Sequence, residues 1–172
     1  IMTAKINVFP GTPLHEEDFE SGKVLSLHDR MRGLYGWDTG VAIGTYLSGL
    51  RAGVLVGGYC RTCRRTVIPP RTVCEWCFRP MESYVQLEDT GTVNTFSLCY
   101  VAWDVTRIKE PELPAVIEID GASPLHGILH KLGEVDPKDV HVGMRVKAVW
   151  RPPEEREGAI TDILYFKPIK EG

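Results

Sequence analysis

Four of the chain's five cysteines fall into two C-x-x-C pairs, Cys60-Arg-Thr-Cys63 and Cys74-Glu-Trp-Cys77, with ten residues between the pairs. Thiolates at this spacing converge from one tight turn, and two such turns can enclose a single metal ion in a tetrahedron of sulfur. Zinc accepts that soft donor set. With four protein ligands it keeps no open position at which a water nucleophile could form. The chemistry on offer is therefore structural. Iron is the rival metal, since four thiolates around iron make a rubredoxin-like electron carrier, and spacing does not separate the two. Disulfide pairing is the remaining alternative, disfavoured by the regularity of the pairs.

Five arginines, Arg61, Arg64, Arg65, Arg71 and Arg79, crowd the cysteines. A zinc ion with four thiolates is net negative, so guanidinium groups are favourable beside it with no ligand at all. The alternative is a phosphate site, because the guanidinium fork matches phosphate oxygens. Arg107 and Lys109, expected on a barrel loop, would extend such a surface. His126 and His130 would share a helix face, but Gly127 and the apolar alternation around them argue for a strand. Four residues along a strand is ~13 Å, too far for one ion. Cys99 is expected to be a small buried hydrophobe in mid-strand. Glu118 and Asp120 read as sheet-surface carboxylates. No phosphate loop, serine elbow or His-Glu metal motif occurs, so no catalytic residue is assigned.

Three zones must position these residues. Residues 1–52 lack strand alternation and read as a helical segment. One helix is expected over Leu25–Tyr35, with Leu27, Met31 and Leu34 in register. A second starts at Asp38 or Thr39 and runs through Val41, Tyr46, Leu47 and Leu50. Such helices either fold onto the chain's own core or serve as a docking arm for another subunit. Residues 53–83 form the metal ribbon, with Val54–Tyr59 as a strand entering the first knuckle and Thr66–Ile68 as a strand leaving it. Pro69 and Pro70 end that strand. Arg64 and Phe78 stand directly after each pair's second cysteine, where such knuckles need a positive φ; a residue other than Gly there costs about 1 kcal/mol.

Residues 84–172 read as short strands over Gly91–Tyr100, Pro114–Asp120, His126–Leu132, Met144–Trp150 and Ile160–Phe166. The first should place Phe96, Leu98 and Tyr100 on one face, and the second Ala115, Ile117 and Ile119. One helical turn is expected at Pro137–Val140. Five strands with a single helical interruption predict an OB-type barrel. The fold class is thus mainly β with N-terminal helices, a zinc ribbon and then the barrel.

Composition narrows the partners. A net charge of −3 over 172 residues gives no general affinity for polyanions. No apolar run approaches the roughly 18 residues of a membrane span, and the start of the chain lacks a secretory layout. Cysteines in metal spacing suit a reducing compartment, so cytoplasm is the expected location.

The run from Tyr46 through Cys60-Arg-Thr-Cys63, Pro69-Pro70-Arg71 and Cys74-Glu-Trp-Cys77, followed by Asp89-Thr-Gly91-Thr-Val, resembles the zinc-ribbon plus OB-fold proteins that accompany thiolase-like enzymes. The small subunit of benzoylsuccinyl-CoA thiolase belongs to that family. The resemblance covers roughly residues 40–168. It implies a rubredoxin-like ribbon in which Cys60, Cys63, Cys74 and Cys77 hold structural Zn2+. It also implies an accessory role beside a thiolase-like catalytic subunit in a hetero-oligomer, with CoA or acyl-CoA as a ligand. Arg71 and Arg107 are chosen on charge as contacts for the CoA phosphates. The expected function is a non-catalytic subunit of a thiolase-type acyltransferase complex. Two rivals stand beside it: a single-stranded nucleic-acid binder using Phe96, Tyr100 and Trp103, against which the near-neutral charge argues, and the iron-based electron carrier.

Overall fold

The computed structural model describes residues 14–25, 27, 33–81 and 83–169. It divides into a unit ending at Trp37 and a larger unit from Asp38 onward. The described part of the first unit contains one short helix, α1 (Glu16–Glu20), where Asp18 turns its carboxylate back to accept the His15 N–H at 3.0 Å. The helix expected over Leu25–Tyr35 does not form at its described residues. Leu25, Leu27 and Gly33–Tyr35 are non-helical, while Met31 and residues 26, 28–30 and 32 lie outside the described residues. Leu27 and Leu34 are exposed, so the periodic spacing buries nothing there. Without burial, helix propensity over so short a run is marginal.

The second expected helix is α2 (Gly40–Ala52). Asp38 supports its start by accepting the Gly40 N–H at 3.0 Å. Gly53 closes it in the left-handed conformation, φ 79°, which glycine adopts without strain. The interior Gly49 has a packing reason: a Cβ there would stand 2.6 Å from Val56 Cγ2. Of the two placements open to this segment, α2 takes the intramolecular one, since Tyr46 and Leu50 enter the chain's main core.

Directly after α2 comes the ribbon sheet: β1 (Leu55–Cys60), β2 (Arg65–Val67) and β3 (Ser83–Leu87), ordered β2-β1-β3 and antiparallel throughout. β4 (Thr90–Phe96) follows after Glu88 and Asp89 and opens a second sheet with β7 (Pro114–Ile119), β8 (Gly127–Lys131), β9 (Arg145–Trp150) and β10 (Ile163–Pro168). Its order is β10-β9-β4-β7-β8. The two outer strands meet at a parallel bridge between Leu132 and Phe166, where the Gly133 N–H donates to the Phe166 carbonyl at 2.9 Å. The sheet therefore curls back on itself in the OB strand order, closed at a bridge and not by a continuous ladder. A hairpin of β5 (Cys99–Val101) and β6 (Arg107–Glu112) stands between β4 and β7 as a sheet of its own.

One core serves all of this. Tyr46 and Leu50 from α2, Leu55 and Leu87 from the ribbon, and Val93, Ile117, Val146 and Phe166 from the barrel form a single buried cluster. Full burial of each aliphatic side chain contributes roughly 1.5–3 kcal/mol. On β7 the expected alternation holds, with Ala115, Ile117 and Ile119 all facing inward and buried.

On β4 it does not. The strand expected over Gly91–Tyr100 breaks into β4 and β5, and a bulge between Val93 and Thr95 shifts the register. Val93 is buried, Phe96 is half-buried, and Leu98 and Tyr100 are exposed. A bulge adds one residue to one strand, so Val93 before it and Phe96 after it both turn toward the core. Leu98 and Tyr100 lie beyond the end of β4, and Cys99, expected to be buried, is half-buried at the start of β5 because that strand belongs to the separate hairpin. Arg107 and Lys109 lie in β6, a strand and not a loop. Near the end, residues 160–162 form a 3-10 turn ahead of β10, and Pro137–Asp139 is a turn short of a helix. Among the described residues no helix is long and apolar enough to cross a membrane.

Candidate metal centre

β1 delivers Cys60 to the end of the ribbon sheet, and the chain turns back through Cys63 into β2. The Cys63 N–H points at Cys60 Sγ, 3.4 Å away. A second turn carries Cys74 and Cys77, closed by the Phe78 N–H on the Cys74 carbonyl at 2.9 Å. The residues after each knuckle, Arg64 and Phe78, take φ of 53° and 55°. The two knuckles are therefore regular in backbone although neither uses glycine at that point.

The four sulfurs lie within 4.8 Å of one another. Cys60 and Cys77 Sγ are 3.6 Å apart, and Cys63 and Cys74 Sγ 3.9 Å. A tetrahedral ion with metal–sulfur bonds of ~2.3 Å needs sulfur–sulfur edges of ~3.8 Å. The two closest edges match that value, and the donor set suits a four-thiolate ion. Cys60 and Cys74 are buried over Val67 and Met81, while Cys63 and Cys77 are half-buried.

As thiols, Cys63 and Cys74 are pushed in opposite directions. The hydrogen bond with the Cys77 side chain, followed by burial, pushes Cys63 up to about 12. Backbone amides of Cys77 and Trp76 draw Cys74 down to about 7. Backbone N–H groups aimed at sulfur stabilise the thiolate, the form that ligates metal. Among the described residues these four cysteines are the group of metal-ligating side chains that converges in this way.

Around the centre the arginines divide. Glu75, inside the second pair, accepts from Arg71 Nη1 at 2.8 Å and from Arg65 Nη1 at 3.0 Å. Arg65 also lies over the exposed Trp76, its guanidinium carbon 3.6 Å from the ring centroid. Its Nη2 stands 2.7 Å from His126 Nε2. Arginine only donates, so His126 Nε2 must accept and the ring proton sits on Nδ1. Burial holds the His126 pKa below its usual range, consistent with a neutral ring. His126 and His130 are thus not a metal pair. His126 anchors the ribbon's Arg65, and His130 packs edge-on to Phe166.

Arg71, chosen on charge for a CoA phosphate, is occupied by Glu75. Arg107 lies on β6, paired across the hairpin with Val101. The residues that charge alone missed are Glu75 and Trp76. The one signal available was the Arg71–Glu75 spacing of four residues inside a cysteine-rich turn.

With the geometry in place, comparison with known proteins identifies the architecture. Residues 47–82 match the family model "ChsH2, rubredoxin-like zinc ribbon domain", and residues 84–151 match "ChsH2, C-terminal OB-fold domain". A DUF35 domain-containing scaffold protein of Methanocaldococcus jannaschii is 33% identical over 119 residues, 67% of this chain and 82% of that one. The chain belongs to the DUF35 family. Two solved structures share the fold at lower identity. A DUF35 protein of unknown function from Sulfolobus solfataricus is similar with a TM-score of 0.59 at 22% identity, covering 76% of this chain and 87% of that chain. A structure described as "Ltp2-ChsH2(DUF35) aldolase" gives 0.56 at 20% identity, covering 80% of this chain and 98% of that chain. In this chain the ribbon match precedes the OB-fold match, and the four cysteines are poised for metal.

Proposed function

We propose that this DUF35 chain is a non-catalytic, zinc-binding accessory subunit that docks a thiolase-like catalytic subunit in a cytoplasmic acyl-CoA acyltransferase complex and contributes surface to CoA-thioester binding. The observation that carries the reading is the closed donor set. Four converging cysteines fill every position of a tetrahedral ion, so zinc here would rigidify the ribbon and activate no water. A DUF35 relative described as a scaffold and a DUF35 chain in an aldolase structure support a partner that performs the chemistry.

The docking surface we favour is the β5–β6 hairpin. Trp103 is 97% exposed and Val105 81%, and Val105 is held at φ 70°. A β-branched residue rarely adopts that conformation, and strain of this kind concentrates at functional surfaces. Asp104 fixes the turn by accepting the Thr106 N–H at 3.1 Å and the Thr106 hydroxyl at 2.6 Å. A rigid turn presenting an exposed Trp suits an interface anchor.

Native purification tests the reading. The complex should contain one larger subunit with thiolase activity and one zinc per copy of this chain. A colourless preparation separates zinc from an iron electron carrier. Recovery of the chain free of any such subunit from its own cells would refute the proposal.

A further inference from the structure

A cleft lies between the first knuckle and the start of β3. Its walls include Tyr59, the metal-site Cys60, Arg61, Thr62, Arg79 and Ser83, and its volume is about 210 Å³. Arg61 Nε donates to Ser83 Oγ at 3.1 Å. That bond orients the guanidinium and leaves its remaining N–H groups, together with the serine O–H, for something else. Arg79 is held from behind, because its carbonyl accepts the Cys74 N–H at 3.0 Å. Among the described residues, the ion pairs include neither Arg61 nor Arg79.

We propose that this cleft binds a phosphate-class anion, with Arg61 and Arg79 as the charged contacts and Thr62 and Ser83 as hydroxyl donors. Two guanidinium groups and two hydroxyls match the acceptor-rich surface of a tetrahedral oxyanion. Neutralising the thiolate cluster would need the arginines but not the hydroxyls. The volume falls below the ~300 Å³ at which small-molecule pockets begin, so the cleft takes one phosphate group and leaves the rest of a larger ligand outside. Donors mounted on two metal-linked turns are preorganised, which lowers the ordering penalty on binding. The site replaces Arg71 as the anion contact, since Glu75 already holds that side chain. It rests on the cleft and not on the acyl-CoA reading; loss of a thiolase partner would leave it standing.

The test is calorimetric titration of the zinc-loaded full chain with pyrophosphate at low salt. We expect one saturable site, weakened about ten- to a hundredfold by Arg61→Ala or Arg79→Ala and abolished by the double variant. Arg61→Lys keeps the charge but loses the fork and should fall between. Arg71→Ala is the control and should bind within about twofold of the parent. Competition by CoA would assign the phosphate to that molecule; pyrophosphate binding unaffected by CoA would assign it to a free phosphate. No saturable binding, or equal binding by the double variant, overturns the proposal. So does loss of zinc from the double variant in step with loss of binding, because the arginines would then serve the thiolate cluster alone.

Discussion

Thr66 and Ser123 exchange two hydrogen bonds: the Thr66 N–H donates to Ser123 Oγ at 3.0 Å, and the Ser123 N–H donates to the Thr66 carbonyl at 2.9 Å. Thr66 is in β2 of the ribbon, and Ser123 is in the turn between β7 and β8 of the barrel. With the Arg65–His126 contact alongside, this pair seams the metal module to the OB fold.

Ser123→Ala removes the acceptor and leaves the Thr66 N–H half-buried and unpartnered. An unsatisfied donor costs about 1–3 kcal/mol, so the urea midpoint should drop while the m-value stays constant. An unchanged midpoint would mean that water or a neighbouring group takes over the bond.

Cys74→Ser should abolish stoichiometric zinc, because a four-thiolate site loses both charge and geometry with one ligand. Structural zinc contributes on the order of 10 kcal/mol to small domains. The ribbon shares its core with α2 and the barrel, so the melting transition should move down sharply as one event. Released zinc measured by a colorimetric chelator, set beside a thermal melt, checks both parts. Chelation of the parent protein should reproduce the shift.

Asp162 predicts an acid limb in stability. Burial alone would raise its pKa, but backbone N–H groups of Glu157, Gly158 and Ala159 bind the carboxylate at 3.0, 2.8 and 3.1 Å and bring it below the ordinary value. A folded pKa below the unfolded one, ~3.9, gives stability that is complete above the unfolded pKa and is lost as pH falls through the folded pKa. Asp162→Asn should cost about 2–3 kcal/mol at neutral pH and flatten this limb. Denaturation curves at a series of pH values, parent against variant, show whether it does.

Trp103→Ala should leave stability within about 0.5 kcal/mol, since its side chain is exposed. Capture of the proposed catalytic subunit should nonetheless weaken at least tenfold, the size expected of an interface anchor. Val105→Gly should relieve strain and raise the melting temperature slightly. If Trp103→Ala binds the partner normally, the hairpin is not the docking surface.

Much of the fold was legible because the informative residues act locally. The cysteine spacing, the helix start at Asp38 or Thr39 and the Ala115–Ile117–Ile119 alternation each specify a turn, a cap or a face without reference to the rest of the chain. Positive φ at Arg64 and Phe78 followed from knuckle geometry alone. What was not legible depended on distant partners. The end of β4 at Phe96 is invisible to a period-two reading, which extends the inward face to Leu98 and Tyr100 although both lie beyond the barrel sheet. β3 pairs with β1 across some thirty residues of sequence, and nothing in Ser83–Leu87 alone announces that sheet. Charge alone pointed to Arg71, and its ion pair with Glu75, inside the second cysteine pair, needed the folded turn to be seen. The Leu25–Tyr35 periodicity shows the converse: a helical spacing means little where no surface waits to cover it.

Between Leu87, the last residue of the ribbon sheet, and Thr90, the first of the barrel, stand only Glu88 and Asp89. Asp89 is itself engaged, its carbonyl accepting the Ala148 N–H at 2.8 Å and its carboxylate facing Lys147 at 3.7 Å. The junction thus has no slack. One residue inserted there would invert the pleat of everything downstream relative to β3, turning inward-facing Val93 outward unless a compensating bulge formed. Fusion proteins and domain exchanges within this architecture should be cut ahead of α2, because the metal module and the barrel behave as a single piece.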